Sequence, residues 1–224
     1  LLHNVSDDNL ELYFDEERGI IKYFLEQKEK GRIRHLGFST HASVGALRKF
    51  LEKYGDVMEF CQIQMNYVDW ELQSAREKYE MLTERGIPVW VMEPLRGGKL
   101  AKETDAAKEF SKAYPDFSPV GWSYRFLKSI EGVTTVLSGA SSLSQMKENI
   151  ELFSKDDPLN DEEKEALLSL AKTMTKGIPC TACRYCVKDC PMGIDIPSVI
   201  AMYNEHTFTG GGFLAPMRLK SIPE

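Results

Sequence analysis

Short apolar runs alternate with amphipathic stretches along almost the whole chain. Residues 1–5, 33–38, 58–65, 87–92 and 133–137 are compact apolar segments bounded by polar or glycine-containing turns, and they read as strands. Between them lie helices. The segment 16–30 sets Ile20, Ile21, Phe24 and Leu25 on one helical face and stops at Gly31. The segment 44–54 does the same with Leu47, Phe50 and Leu51 and stops at Gly55. Residues 71–85 read as one long polar-faced helix ended by Gly86, and 119–130 as a helix carrying Trp122, Tyr124, Phe126 and Leu127. Ser142-x-x-Gln145 and Asn160-x-x-Glu163 are capping boxes that open two further helices. A short helix is expected near 197–203.

Strand and helix in strict alternation predict βαβ units and a parallel sheet. Five strands are too few to close a (β/α)8 barrel, which takes about 250 residues. They suffice for an open doubly wound sheet, so periodicity leaves both arrangements open. The informative strand ends are all C-terminal ones: His3, Ser39-Thr40, Gln64, the loop 94–98, and 138–140. In a barrel these ends ring the active-site face.

The 224 residues carry a net charge of −6 with both signs interspersed and no Lys/Arg block, which argues against a nucleic-acid face. The sequence has no apolar run of membrane-spanning length, which argues against a membrane partner. The chain opens on Leu1-Leu-His3 without Met, as if in mid-strand, and is expected to be part of a longer protein.

Four of the five cysteines fall within one short stretch, Cys180-Thr-Ala-Cys183-Arg-Tyr-Cys186-Val-Lys-Asp-Cys190, followed by Pro191. This is the C-x2-C-x2-C-x3-C-P run that ligates iron–sulfur clusters, since thiolates are soft donors and the short gaps wrap one loop around a cube. A structural zinc site usually draws two C-x2-C pairs from separate loops, and disulfide frameworks belong to small secreted chains. A 4Fe-4S cluster on Cys180, Cys183, Cys186 and Cys190 is therefore the expectation, with zinc and disulfides as lesser alternatives. In two-cluster proteins the last cysteine of such a run serves the other cluster. The fourth ligand here is accordingly Cys190 or a residue elsewhere, and the fifth cysteine, Cys61, lies in an apolar strand-like stretch. A thiol-rich motif of this kind points to a reducing cytoplasm.

At its strand ends the chain resembles the aldo/keto reductase family, in the subgroup with a C-terminal ferredoxin-like segment. Leu1-Leu-His3-Asn is similar to the fourth-strand segment carrying the family's catalytic His, and Gly37-Phe-Ser39-Thr40 to the fifth-strand pair that binds the nicotinamide amide. Gln64-Met-Asn-Tyr67 is similar to the sixth-strand segment whose Gln shares that amide. Met92-Glu-Pro94-Leu95-Arg-Gly97-Gly98 stands where the family has a ring-stacking aromatic followed by Ser-Pro-Leu and a Gly-rich loop. Ser138-Gly139-Ala140-Ser-Ser-Leu-Ser-Gln145-Met-Lys-Glu148-Asn149 matches the segment that holds the adenosine phosphate and adenine, with Gln145 where NADP-preferring members place Arg.

The resemblance implies strands four to eight of a TIM barrel over residues 1–155, a connecting helix over 156–176, an iron–sulfur segment over 177–208 and a tail over 209–224. It implies NADP or NAD as cofactor and reduction of a small carbonyl substrate, with His3 polarising the carbonyl. The family's catalytic Asp, Tyr and Lys belong to earlier strands and have no counterpart in this sequence. The alternative is an electron-transfer module, with the cluster as the working centre and a docking protein as its partner.

Overall fold

The computed structural model describes residues 1–115, 117–175, 177–178, 180 and 185–209. Cys183 and the tail from residue 210 lie outside the described residues. Five strands, β1 (Leu2–Val5), β2 (Phe38–Thr40), β3 (Cys61–Gln64), β4 (Val89–Met92) and β5 (Val133–Val136), form one parallel sheet in the order β1-β2-β3-β4-β5. The helices are α1 (Leu10–Phe14), α2 (Ile20–Glu29), α3 (Val44–Tyr54), α4 (Asp69–Leu72), α5 (Ala75–Thr83), α6 (Asp105–Ala113), α7 (Pro119–Lys128), α8 (Leu143–Ser154), α9 (Asp161–Met174), α10 (Tyr185–Lys188) and α11 (Ile196–Thr209).

Strand order settles what periodicity left open. A doubly wound sheet reverses direction at a switch point. Here the strands follow chain order without reversal, and right-handed crossovers then put the helices on the same side each time. The architecture is α/β with a sequentially ordered parallel sheet of the TIM-barrel type.

Alternation along the strands divides the sheet into two faces. Leu2, Val5, Phe38, Thr40, Cys61, Ile63, Val89 and Val91 point toward the helices, and all are buried. Phe38 meets Phe50 of α3 at 4.7 Å between ring centroids. The opposite face carries His3, Ser39, Gln62, Gln64, Trp90 and Met92. Leu2 and Val5 share the helix face despite being three apart because β1 contains a register shift between them, with Asn4 in the left-handed region at φ 55°. Such a bulge re-aims a side chain, here returning Val5 to the helix face while His3 stays on the other.

Gly37 is forced by packing. A Cβ there would stand 2.5 Å from the Phe60 carbonyl oxygen and 2.6 Å from its ring, and backbone cannot give way as a flexible side chain can. Gly37→Ala should cost about 1–3 kcal/mol through overpacking, read as a lower urea midpoint. An unchanged midpoint would mean that β2 shifts freely.

Several elements differ from the sequence expectation. The expected helix 71–85 is two helices, α4 and α5, with Ser74 between them at φ 51°. The Asn66 side-chain oxygen accepts from the backbone N–H groups of Val68 and Asp69, which starts the first helix early. The second strand begins at Phe38, not 33, because the Leu36 N–H is taken by the Glu59 carboxylate and not by a ladder partner. Helices α1 and α6 were not expected; α6 is opened by the Thr104 side chain accepting from the Ala107 N–H. The helix expected near 197–203 runs longer, as α11.

Glu59 carries a pH-dependent part of the stability. Hydrogen bonds from Lys28, the Leu36 N–H and His35 hold its carboxyl at about 2, below the usual 4.5. A depressed carboxylate contributes fully above the unfolded value and progressively less as pH falls from about 5 toward 2. Acid titration of the urea midpoint should therefore fall more steeply in the wild type than in Glu59→Gln across that window. Parallel curves would remove Glu59 from the account.

Helix α9 is tied to the sheet unit through Arg125 of α7. Its Nη1 and Nη2 donate to the two Glu163 carboxylate oxygens, each at 3.0 Å, and its Nε to the Asp157 carbonyl at 2.7 Å. The two-pronged geometry suits a planar guanidinium.

Candidate active site

The non-helix face brings four of the expected residues to neighbouring strand ends. His3 is exposed, and its Nδ1 lies 3.4 Å from the Ser39 hydroxyl, which also accepts from the Asn4 N–H at 2.9 Å. Gln64 and Met92 face each other across β3 and β4, and the Met92 sulfur accepts from Gln62 Nε2. Thr40 does not join them. Its side chain is on the helix face, donating to the Val5 carbonyl at 2.7 Å and accepting from the Ala42 N–H at 2.9 Å.

Gln64 is held in one orientation. Its Nε2 donates to the Asp69 carboxylate at 2.8 Å, and a carboxylate only accepts, so the amide oxygen is turned the other way. Asp69 is fully buried and also receives Asn66 Nδ2 at 2.6 Å and the Arg96 guanidinium at 2.9–3.0 Å. Arg96 lies in the loop 94–98, where Pro94 is buried, Leu95 half-buried and Gly97 exposed. Glu93, Arg96, Gly97 and Gly98 there are all left-handed, with φ of 58°, 50°, 62° and 80°. Non-glycine residues hold that conformation only where surroundings over-determine it. Here the Asn66 amide grips the Glu93 carbonyl at 2.9 Å, and the buried ion pair grips Arg96.

Asn66, Asp69 and Arg96 were missed as site residues. The Asn66-x-x-Asp69 spacing is a local helix-start signal that was available in the sequence; the pairing with Arg96 spans 27 residues and was not.

At the end of β5 the residues expected on the adenosine side are exposed, Ala140 and Asn149 less so. Asn149 Nδ2 donates to the Ser138 hydroxyl at 2.8 Å, and the Ala140 N–H donates to the same oxygen at 3.2 Å. Gln145 completes the capping box of α8, its oxygen accepting from the N–H groups of Ser141 and Ser142 at 2.8 and 3.2 Å. A phosphate at this helix start would compete with Gln145 for those donors. Glu148 is exposed on α8.

Tyr13 is close to His3 but on the wrong side. Its hydroxyl donates to the His3 carbonyl at 2.8 Å and its ring packs edge-on against Phe50 at 6.1 Å, on the helix face. Burial pushes its pKa up, away from what a proton donor needs.

In the cysteine segment, Cys180 and Cys186 are exposed and Cys190 is half-buried. The Cys190 sulfur accepts from the Ile194 N–H at 3.3 Å, across a turn with Gly193 at φ 65°. Hydrogen bonding of this kind suits a thiolate ligand. Among the described residues no group of three or more His, Cys, Asp or Glu side chains is gathered to hold a metal, and Cys183 is not one of those residues.

The family sequence model of the aldo/keto reductases matches residues 11–172. The chain belongs to the aldo/keto reductase family. The match leaves out His3 and the four clustered cysteines, and it includes Cys61. The chain is similar in fold to an aldo-keto reductase of Bacillus halodurans in its holo form, with 24% identity and a TM-score of 0.61 over 75% of this chain and 57% of that one. It is also similar to an aldo/keto reductase of Klebsiella pneumoniae in complex with NADP and acetate, with 18% identity and a TM-score of 0.55 over 76% of this chain and 57% of that one. No curated protein matches the chain. The chain thus spans 57% of the length of these two solved structures.

Proposed function

We propose that this chain forms the nucleotide-binding side of an NAD(P)H-dependent carbonyl reductase, strands four to eight of an aldo/keto reductase barrel, with a 4Fe-4S cluster on its C-terminal segment. The observation that carries the reading is the convergence of His3, Ser39, Gln64 and Met92 on one sheet face at neighbouring strand ends. A bound nicotinamide would supply hydride to an aldehyde or ketone, or take it in reverse. The chain's own residues have defined tasks. His3 orients the carbonyl oxygen, Ser39 and Gln64 hold the nicotinamide amide, and Met92 packs against the ring. Pro94, Leu95 and Gly97 shape the wall beside it. Ser138, Gly139, Ala140, Gln145, Glu148 and Asn149 hold the adenosine end.

Cys180, Cys183, Cys186 and Cys190 would hold the cluster, which supplies one-electron chemistry to a partner protein or ties down the segment that carries it. The exposure of Cys180 and Cys186 supports access by such a partner. Among the described residues no helix is long and apolar enough to cross a membrane. The cytoplasm remains the proposed location, on the chemistry of the thiol motif.

The test is titration of NADPH and NADH, followed by quenching of tryptophan fluorescence, since Trp90 shares the site face. Binding is expected to be weak, because five strands build only part of a barrel wall. Gln145→Arg should favour NADPH over NADH by about tenfold to a hundredfold, the worth of a hydrogen bond to a charged group. No change in that ratio would place the adenosine phosphate elsewhere.

A further inference from the structure

Helix α11 follows the cysteine segment and reaches back to the rim of the candidate site. Glu205 is 2% exposed, and its carboxylate accepts from Arg96 Nη2 at 2.5 Å and from the Gln73 amide. Phe208, one turn on, lies under the Arg96 guanidinium at 4.6 Å. The neighbouring Asn204 clamps the backbone of Ile178, two residues before Cys180. Its oxygen accepts from the Ile178 N–H at 2.7 Å and its amide donates to the Ile178 carbonyl at 2.9 Å. Gly177 leaves the room for this, since a Cβ there would stand 2.4 Å from the Asn204 side chain.

Two adjacent residues of one helix therefore grip two different places. Asn204 holds the entry to the cysteine segment; Glu205 holds Arg96, which holds Asp69, which orients Gln64. From Glu205 to Gln64 the line is buried and made of charged or amide groups. Removing one member takes a charged partner from its neighbours in a low-dielectric setting, which favours rearrangement of the line over independent loss.

We propose that Glu205 and Arg96 are positioning residues that couple the seating of α11, and with it the entry to the cysteine segment, to the orientation in which Gln64 is presented at the nicotinamide rim. The nicotinamide part rests on the function proposed above; the coupling itself does not. With α11 seated, Gln64 presents its oxygen, an acceptor for the amino group of a nicotinamide carboxamide. With Glu205 disengaged, Arg96 and Asp69 are free to re-pair, the strained loop 93–98 loses its anchor and Gln64 is no longer held in one orientation.

The experiment is hydrogen exchange on the full 224-residue chain, for wild type, Glu205→Gln and Glu205→Asp. Glu205→Gln keeps the shape and removes the charge. It should speed exchange by about fivefold or more at 64–69 and 93–98 as well as in α11, with β2 unchanged, in line with ordinary coupling strengths. Glu205→Asp, which keeps the carboxylate, should restore part of the protection. Faster exchange confined to α11, or no change anywhere, overturns the coupling.

The second arm uses NADPH and its 3-acetylpyridine analogue, in which an acetyl group replaces the carboxamide and the amino group is lost. Wild type should bind NADPH more tightly than the analogue, and Glu205→Gln should bring the two affinities together. A merely structural role would weaken both alike and would overturn the orientation claim. If wild type binds neither nucleotide, the nicotinamide reading fails, and the exchange arm still decides the coupling.

Discussion

Protein purified without oxygen is expected to be brown and to carry about four irons and four sulfides per chain. The molecule holds two kinds of cysteine. Cys61 lies in β3 between Phe38 and Val89, is fully buried, and has its thiol pKa pushed well up by burial. The thiolate is the metal-binding form, so this environment makes a poor ligand. Cys180, Cys186 and Cys190 are at least partly exposed, and the Cys190 sulfur already receives a backbone N–H. Cys183→Ser should remove most of the iron, and Cys61→Ser should leave it in place. Loss of the cluster in Cys61→Ser would make Cys61 the fourth ligand. Stoichiometric zinc with no sulfide would defeat the cluster altogether.

Strands β1 to β4 were readable because buried apolar residues recur along them, a pattern that survives any later packing. The ends at His3, Ser39 and Gln64 follow directly from that alternation. Thr40 as a site residue does not follow from it. In an alternating strand only one of two adjacent residues can face the site, and the helix face claimed Thr40 through its bonds to Val5 and Ala42. Strand order was out of reach too, since a barrel segment and a doubly wound sheet share one periodicity. Gln73, next to the break at Ser74, donates to Glu205, a contact 132 residues away. The Asp69–Arg96–Glu205 line has the same character: each partner alone reads as a surface charge, and only the folded chain puts all three inside.

The same distribution of groups predicts what residues 1–224 will not do alone. Carbonyl reduction needs a proton donor beside the substrate oxygen as well as a hydride donor across the carbon. His3 can orient a carbonyl from the site face. Tyr13 and Tyr67, which follow β1 and β3, are unsuited to give the proton. Tyr13 is engaged with the His3 carbonyl on the helix face, Tyr67 is 2% exposed, and burial raises the pKa of both. A nicotinamide on this face would be walled by the five-stranded sheet on one side only, which would relax the alignment that fast transfer requires. A positioned acid is typically worth about 10² to 10⁴ in rate, and its absence together with loose alignment should cost at least that. No aldehyde reduction above background is therefore expected from this chain with NADPH. Adding a polypeptide that supplies three further barrel strands, with the Asp, Tyr and Lys that the family resemblance calls for, should restore turnover. His3→Ala should then lower kcat by about 10² or more with little change in nucleotide affinity. Robust turnover by residues 1–224 alone, on protein of verified mass, would mean that a donor exists on this face and that the roles given to His3 and to the absent strands are wrong.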